Sequence, residues 1–316
     1  MGSEMCIRDR PGRVYLYGAV SGGGKSNALL MAMSWFSRFN KDIEPIEEGY
    51  TPCAVYLSLE NTKGETQSGM FSTFVPFNLR EGRRYDELSQ EEVDEYLEGA
   101  GAHQPTLIYD TLDHRSANTG SVEAYVDRLW DDKFDVRLLV VDYANILPPM
   151  VRTGDSRIDH GQVVRELKDI ALEKRLPIIS AVQLNAIGAA TLEKEDTNPD
   201  ALKQVYSNAL AESRLMLNNT DALIYIHRTE IKDVDKGDAA LLGVNIIKMR
   251  SEDQSQGVKF FSFPFLERNS LILEEDVNER ESRHRLTDPL ALAKKAVTVT
   301  RVKPVMTSNS SGVREI

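Results

Sequence analysis

Six short apolar runs separated by longer amphipathic stretches constrain the fold of this chain more than any other feature. The runs are Val14 to Tyr17, Ala54 to Leu59, Thr106 to Tyr109, Leu138 to Val141, Pro177 to Val182 and Ala222 to His227. They are apolar on both faces rather than alternating, a pattern that suits strands covered on both sides. Between them lie helical patterns at Lys25 to Phe39, Ser89 to Leu97, Val122 to Asp131, Gly161 to Glu173 and Ala201 to Leu217. Strands alternating with helices predict an α/β fold with a mainly parallel sheet and helices on both faces. After Gly237 the pattern changes: Leu241 to Ile247, Val258 to Phe265 and Leu271 to Leu273 follow one another without helices, which predicts an antiparallel C-terminal extension of the same sheet.

The turn after the first run carries the strongest chemical signal. It reads Gly18-Ala-Val-Ser-Gly-Gly-Gly-Lys-Ser26, between a strand and a helix, and it has the form of a P-loop. Glycines let successive backbone N–H groups turn inward on a phosphate, and the following helix N-terminus adds positive potential. The expected nucleotide-binding run is Ala19, Val20, Ser21, Gly22, Gly23, Gly24, Lys25, Ser26 and Asn27. Lys25 is expected to reach the β- and γ-phosphates of ATP, and the Ser26 hydroxyl to bind Mg²⁺. The first glycine of the usual pattern is here Ala19, preceded by Gly18.

Three other runs end in polar residues. Leu138-Leu-Val-Val-Asp142 has the form of a Walker B strand, with Asp142 as a second Mg²⁺-site residue; a strand followed by aspartate also occurs at ordinary turns. Glu60 follows the second run and Gln183 the fifth. In a parallel sheet all strand C-termini share one edge, where ligands bind at the switch in strand order. The P-loop, Glu60, Asp142 and Gln183 are therefore expected to converge. Glu60 is placed to orient and deprotonate an attacking water, and Gln183 to sense the γ-phosphate; loop capping is the competing role for each.

Lys248-Met-Arg250 closes a long β-run, and alternation puts Lys248 and Arg250 on one face. Two cations on one side of a strand, expected to have no nearby acidic partner, suit a phosphate clamp, or arginine-finger cations if they project from a neighbouring subunit. A charged edge strand is the alternative.

Composition limits the partners. Lys plus Arg number 38 against 49 Asp plus Glu, a net charge of −11 with 41% hydrophobic residues, so the chain is an acidic globular protein. The acidity argues against binding polyanions over a broad surface, although a few basic loops facing a pore could still hold a phosphate backbone. The two cysteines, Cys6 and Cys53, form no CxxC pair and suit a reduced compartment. No apolar run approaches the roughly 20 residues that a membrane helix needs. Residues 1–10 lack periodicity and are expected to be a non-native or unstructured leader, with the natural chain beginning further upstream. Residues 11–275 are expected to form the nucleotide-binding domain, and 276–316 a mobile polar tail with one short helix at Leu286 to Ala296.

The ordered set of a P-loop with Ala19, Ser58-Leu-Glu60, Val140-Val-Asp-Tyr143, Gln183-Leu-Asn185, Glu212-Ser213, Asp221-Ala-Leu-Ile224 and Lys248-Met-Arg250 resembles the ATPase domain of DnaB-type replicative helicases, bacterial or phage. The resemblance spans about Gly12 to Leu273. It implies a RecA-like motor that hydrolyses ATP with Mg²⁺ at the subunit interfaces of a hexameric ring and translocates on single-stranded DNA in the cytoplasm. Primase or a helicase loader would be further partners. It makes Glu60 the catalytic glutamate, and Lys248 and Arg250 the pair reaching the adjacent subunit's ATP site. It makes Asn185 to Ser213 the central-channel loops, with Lys194, Lys203, Glu212 and the adjoining Arg214 as DNA-binding candidates.

The chain departs from that pattern at Ala211, where an arginine is usual before Glu212, and at Arg214, where glycine is common. The channel segment also carries Glu193, Glu195, Asp196 and Asp200. The same residues leave open a RecA-like recombinase or regulatory ATPase that binds DNA without unwinding it. A third alternative is a protein that binds nucleotide without turnover.

Overall fold

The computed structural model describes residues 11–40, 43–75, 83–99, 106–113, 115–184, 214–230, 239–250, 260–266 and 271–272. Its strands are β1 (Val14–Ala19), β2 (Thr51–Ser58), β3 (Thr106–Thr111), β4 (Phe134–Asp142), β5 (Ile178–Gln183), β6 (Ala222–Glu230), β7 (Ala239–Met249), β8 (Phe260–Leu266) and β9 (Leu271–Ile272). The helices are α1 (Lys25–Phe39), α2 (Lys63–Phe74), α3 (Gln90–Gly99), α4 (Thr119–Asp131), α5 (Ser156–Glu173) and α6 (Arg214–Asn219), with a 3₁₀ turn at Tyr85–Glu87.

The strands form one nine-stranded sheet in the order β3-β2-β4-β5-β1-β6-β7-β8-β9. The first six in that order are parallel, and β7, β8 and β9 are antiparallel additions. Strands β4 and β5 are inserted between β1 and β2, while β6 is added on the other side of β1. The switch in strand order therefore falls at β1, directly below the glycine-rich turn.

Side chains on the central strands alternate between two cores. Val14, Leu16, Val55, Leu57, Leu139, Val141, Ile178 and Val182 pack with Val122 and Val126 of α4 and with Val164 and Leu167 of α5. Tyr17, Ala19, Ala54, Tyr56, Leu138, Val140, Ile179 and Ala181 pack on the other face with Leu29 and Met33 of α1 and with Met70 and Phe74 of α2. Both faces of the sheet are thus buried, as the apolar runs require. Gly18 interrupts this series for a steric reason. A Cβ there would lie 2.5 Å from the ring of the buried Tyr225 on β6.

Helix α2 is absent from the sequence-based reading. Its polar residues hide the periodicity, but Thr62 and Glu65 form a reciprocal capping box that marks its start. The helix expected over Ala201 to Leu217 is described only from Arg214, and there it continues to Asn219. The expected leader 1–10, the tail 276–316 and the Asn185 to Ser213 segment lie outside the described residues.

At the edge of the sheet opposite the glycine-rich turn, the buried Asp221 ties the first strand to the second half of the chain. It accepts from Arg13 Nη1 (2.7 Å), the Val14 N–H (2.9 Å) and Lys168 Nζ (2.6 Å), and Arg250 Nη1 lies 3.5 Å away. Burial alone would push the Asp221 carboxyl up. The bonds from Lys168, the Val14 N–H and Arg13 outweigh it and hold the group below the usual aspartate range. A depressed folded-state pKa contributes stability above the unfolded value of about 3.9, and that contribution is lost as pH falls through the folded value. Asp221→Ala is expected to cost on the order of 3 kcal/mol, because it leaves the partly buried cations of Arg13 and Lys168 and the Val14 N–H without their partner. Urea unfolding at neutral pH checks the magnitude. Repeating it between about pH 5 and pH 2 should show the difference between variant and parent shrinking on acidification; a constant difference would contradict the account.

Candidate active site

The turn after β1 is shaped for an anion. Gly22 (φ 70°) and Gly24 (φ 89°) adopt left-handed conformations that most side chains disfavour, and Gly24 caps the N-terminus of α1. A Cβ on Gly23 would meet the Val20 carbonyl oxygen at 3.0 Å and the Ala19 Cβ at 3.1 Å. The Gly23 N–H donates to the Val20 carbonyl (3.0 Å), and the turn lies at the positive end of a 15-residue helix, where a phosphate is favoured. Lys25, largely buried, donates from Nζ to the Val20 carbonyl (3.0 Å) and lies 5.4 Å from the Tyr143 ring centroid. Burial lowers the Lys25 ammonium from its ordinary pKa, while the carboxylates of Asp142 and Glu60 pull it back up.

Asp142 ends β4 and is fully buried. Its Oδ2 accepts a 2.6 Å bond from the Tyr56 hydroxyl, and its Oδ1 has no hydrogen-bond partner. Burial raises the Asp142 carboxyl, the hydrogen bond from Tyr56 and the nearby Ser26 hydroxyl lower it, Glu60 adds to the rise and Lys25 opposes it. Tyr56 is pushed well above the usual tyrosine range by burial, by the Asp142 charge and by that hydrogen bond, so it stays a donor. The Asp142–Tyr143 peptide is cis.

Glu60 lies in the bend just past β2, exposed, and its charge acts on Lys25, Asp142 and Tyr143 together. Ser58, two residues before it, is in register with Asp142, and the Leu59 N–H donates to the Asp142 carbonyl (2.8 Å). Gln183 is the last residue of β5, in register with Ala19, and is exposed. Its N–H donates to Asn145 Oδ1 (3.0 Å), which joins the end of β5 to the loop after Asp142. The four expected residues or segments thus sit on the C-terminal ends of the neighbouring strands β2, β4, β5 and β1.

This edge fits a magnesium nucleotide. A buried aspartate with one unpartnered oxygen stands beside the Ser26 hydroxyl, and the glycine-rich backbone supplies the anion cradle. Sequence reasoning missed Tyr56, which reads as a core residue, and Asn145. Only the register between β2 and β4 reveals the Tyr56–Asp142 contact.

Lys248 and Arg250 are not part of this cluster. Met249 pairs with Ala222 at the start of β6, so both cations sit at the opposite edge of the sheet, roughly 20 Å away across a six-residue strand. The expectation that they lack an acidic partner is overturned, because Arg250 lies beside Asp221. The partner escaped notice because β7 folds back antiparallel on β6. Both cations also cap the end of α6: Lys248 Nζ donates to the Leu217 carbonyl, and Arg250 Nη2 donates to the Asn218 carbonyl (3.3 Å). Their expected common face is thereby observed. Burial and the Arg250 charge lower the Lys248 ammonium, with Asp221 opposing. Arg214 opens α6, whereas Lys194, Lys203 and Glu212 lie outside the described residues.

Comparison with known proteins agrees with this arrangement. The chain is 22% identical over 173 residues to the replicative DNA helicase DnaB of Pasteurella multocida, covering 55% of this chain and 34% of that protein. It is 21% identical over 173 residues to DnaB of Haemophilus influenzae, with the same coverage of both chains. The chain thus spans about a third of the length of these curated relatives. Among solved structures, an isolated ATPase domain superposes with a TM-score of 0.62 at 17% identity, covering 84% of this chain and 86% of that one. A DnaB-like replicative helicase, described with its interactions with primase, superposes at 0.63 with 17% identity, covering 84% of this chain and 58% of that one. These likenesses establish the RecA-like ATPase fold. A family model of divergent DnaB-like ATPases matches residues 1–294, and with that span covered the chain belongs to the divergent DnaB-like ATPase family.

Proposed function

We propose that this chain is the ATP-hydrolysing motor of a DnaB-type helicase, acting in a homo-oligomeric, hexameric ring that translocates on single-stranded DNA during replication. The observation that carries the proposal is the convergence of the P-loop, Glu60, Asp142 and Gln183 on one sheet edge, with Lys248 and Arg250 on the other. The run from Ala19 to Asn27 would hold the nucleotide phosphates, and Ser26 with Asp142 would hold Mg²⁺. The metal supplies charge stabilisation for the transferring phosphoryl group. Lys25 adds a point charge, Glu60 accepts the proton of the attacking water, and Gln183 reports phosphate occupancy to the loop that follows it. Lys248 and Arg250 complete the site of a neighbouring copy.

Residues 11–275 form the motor in this reading, with 1–10 a leader and 276–316 a tail. DNA is held by the segment from Asn185, with Lys194, Lys203, Glu212 and Arg214 as candidate contacts, in a cytoplasmic setting. Partnership with a primase is supported by the primase interactions of the structural relative, and a helicase loader is a further candidate. Among the described residues no helix is long and apolar enough to cross a membrane.

The acidic residues Glu193, Glu195, Asp196 and Asp200 weaken the case for DNA contact in the segment from Asn185, and the second reading is a RecA-like recombinase or regulatory ATPase that binds DNA without unwinding it. A forked-duplex strand-displacement assay with a parallel ATPase assay separates the two. ATP-dependent displacement supports the helicase, and turnover without displacement supports the second reading. Lys25→Ala is expected to reduce turnover by about 10²- to 10³-fold. Undiminished turnover in that variant would remove the P-loop assignment.

A further inference from the structure

We infer that Tyr56 is a positioning residue for the metal site, holding Asp142 so that Oδ1 is the carboxylate oxygen presented to Mg²⁺. The inference rests on the proposed ATPase reading and adds a residue to it. Tyr56 lies on β2 and Asp142 on β4, the neighbouring strand. Tyr56 is opposite Val140 in the register, so Asp142 is its diagonal neighbour two residues further on, and both side chains share the α1 face. That offset is within reach of a long aromatic side chain. The ring is locked in the core at 1% exposure, which leaves its hydroxyl little freedom to point elsewhere. The hydroxyl donates to Oδ2 at 2.6 Å, in the short range of bonds to an ionised acceptor.

A carboxylate at a strand end can rotate about its terminal torsion. The bond to Tyr56 stops that rotation and occupies one oxygen. The other, Oδ1, is buried and has no protein partner. A buried unpartnered oxygen is costly unless something answers it, and the Ser26 hydroxyl near the same carboxylate marks where a cation would do so. Tyr56 thus does for Asp142 what an outer partner does for a metal ligand: it fixes orientation without touching the metal.

Two titrations of Tyr56→Phe against the parent chain test this. The first follows a fluorescent ADP analogue at increasing Mg²⁺ and again in EDTA; the second follows Mn²⁺ by electron paramagnetic resonance in the presence of ADP. The Mg²⁺ half-saturation point is expected to rise by about 10- to 100-fold, with the EDTA affinity unchanged. In an Asp142→Asn background the same substitution should add little, because the group it orients has changed. Equal metal dependence of Tyr56→Phe and parent would overturn the inference while leaving the ATPase reading intact. Parallel loss of metal-dependent and metal-free affinity, or loss of a cooperative thermal melt, would also overturn it by showing that the hydroxyl serves the fold. If the parent itself showed no metal-dependent nucleotide binding, the reading of the site would fall first.

Discussion

Arg250→Ala is expected to lower ATP turnover by about 10³- to 10⁵-fold, the range measured for arginine fingers supplied to a phosphoryl-transfer site. Fold and nucleotide binding should survive. The Arg250 side chain is half exposed, and its 3.5 Å approach to Asp221 is one of several contacts on that carboxylate. With Arg13 and Lys168 still bonded to the buried Asp221, loss of the half-exposed arginine should move the melting temperature little. The P-loop lies at the other edge of the sheet, which leaves affinity for a fluorescent ATP analogue unaltered. Stopped-flow binding and steady-state turnover of the same preparation separate the two quantities. A fall in stability without a selective fall in turnover would make Arg250 a cap for α6 and a neighbour of Asp221, and no more.

Glu60→Gln is expected to slow hydrolysis by about 10²- to 10⁴-fold while nucleotide binding persists. The amide keeps the shape and removes the base. Glu60 is exposed in the bend after β2, so the substitution disturbs no buried contact. It does remove the negative charge that raises the pKa of Lys25, Asp142 and Tyr143. Single-turnover hydrolysis together with equilibrium binding provides the check. Affinity and turnover falling in proportion would assign Glu60 a structural role.

Much of this site was legible because its parts obey local rules. The glycines announce themselves, since left-handed Gly22 and Gly24 at a strand-to-helix turn have few other uses. Asp142 and Gln183 were legible as polar ends of apolar runs, and the parallel sheet brings such ends to one edge. What escaped depends on register and long-range closure. Asp221 and Arg13 are 208 positions apart, and no local pattern links them. Tyr56 sits between the apolar Val55 and Leu57 and reads as a core residue, so only the register of β2 against β4 gives its hydroxyl a role. Helix α2 was hidden because Thr66, Gln67, Ser68 and Ser72 dilute its apolar face of Met70, Phe71 and Phe74.

The separation of Lys248 and Arg250 from the P-loop of their own chain carries the central claim, that turnover needs a neighbouring copy. Two opposite edges of one sheet cannot meet without unfolding it, whereas a head-to-tail arrangement would bring the cationic edge of one copy to the phosphate edge of the next. Specific ATPase activity measured across protein concentration, with light scattering on the same samples, tests this most directly. The account predicts that activity per chain falls on dilution in step with dissociation into monomers. Full specific activity from a chain that scatters as a monomer at nanomolar concentration would contradict it.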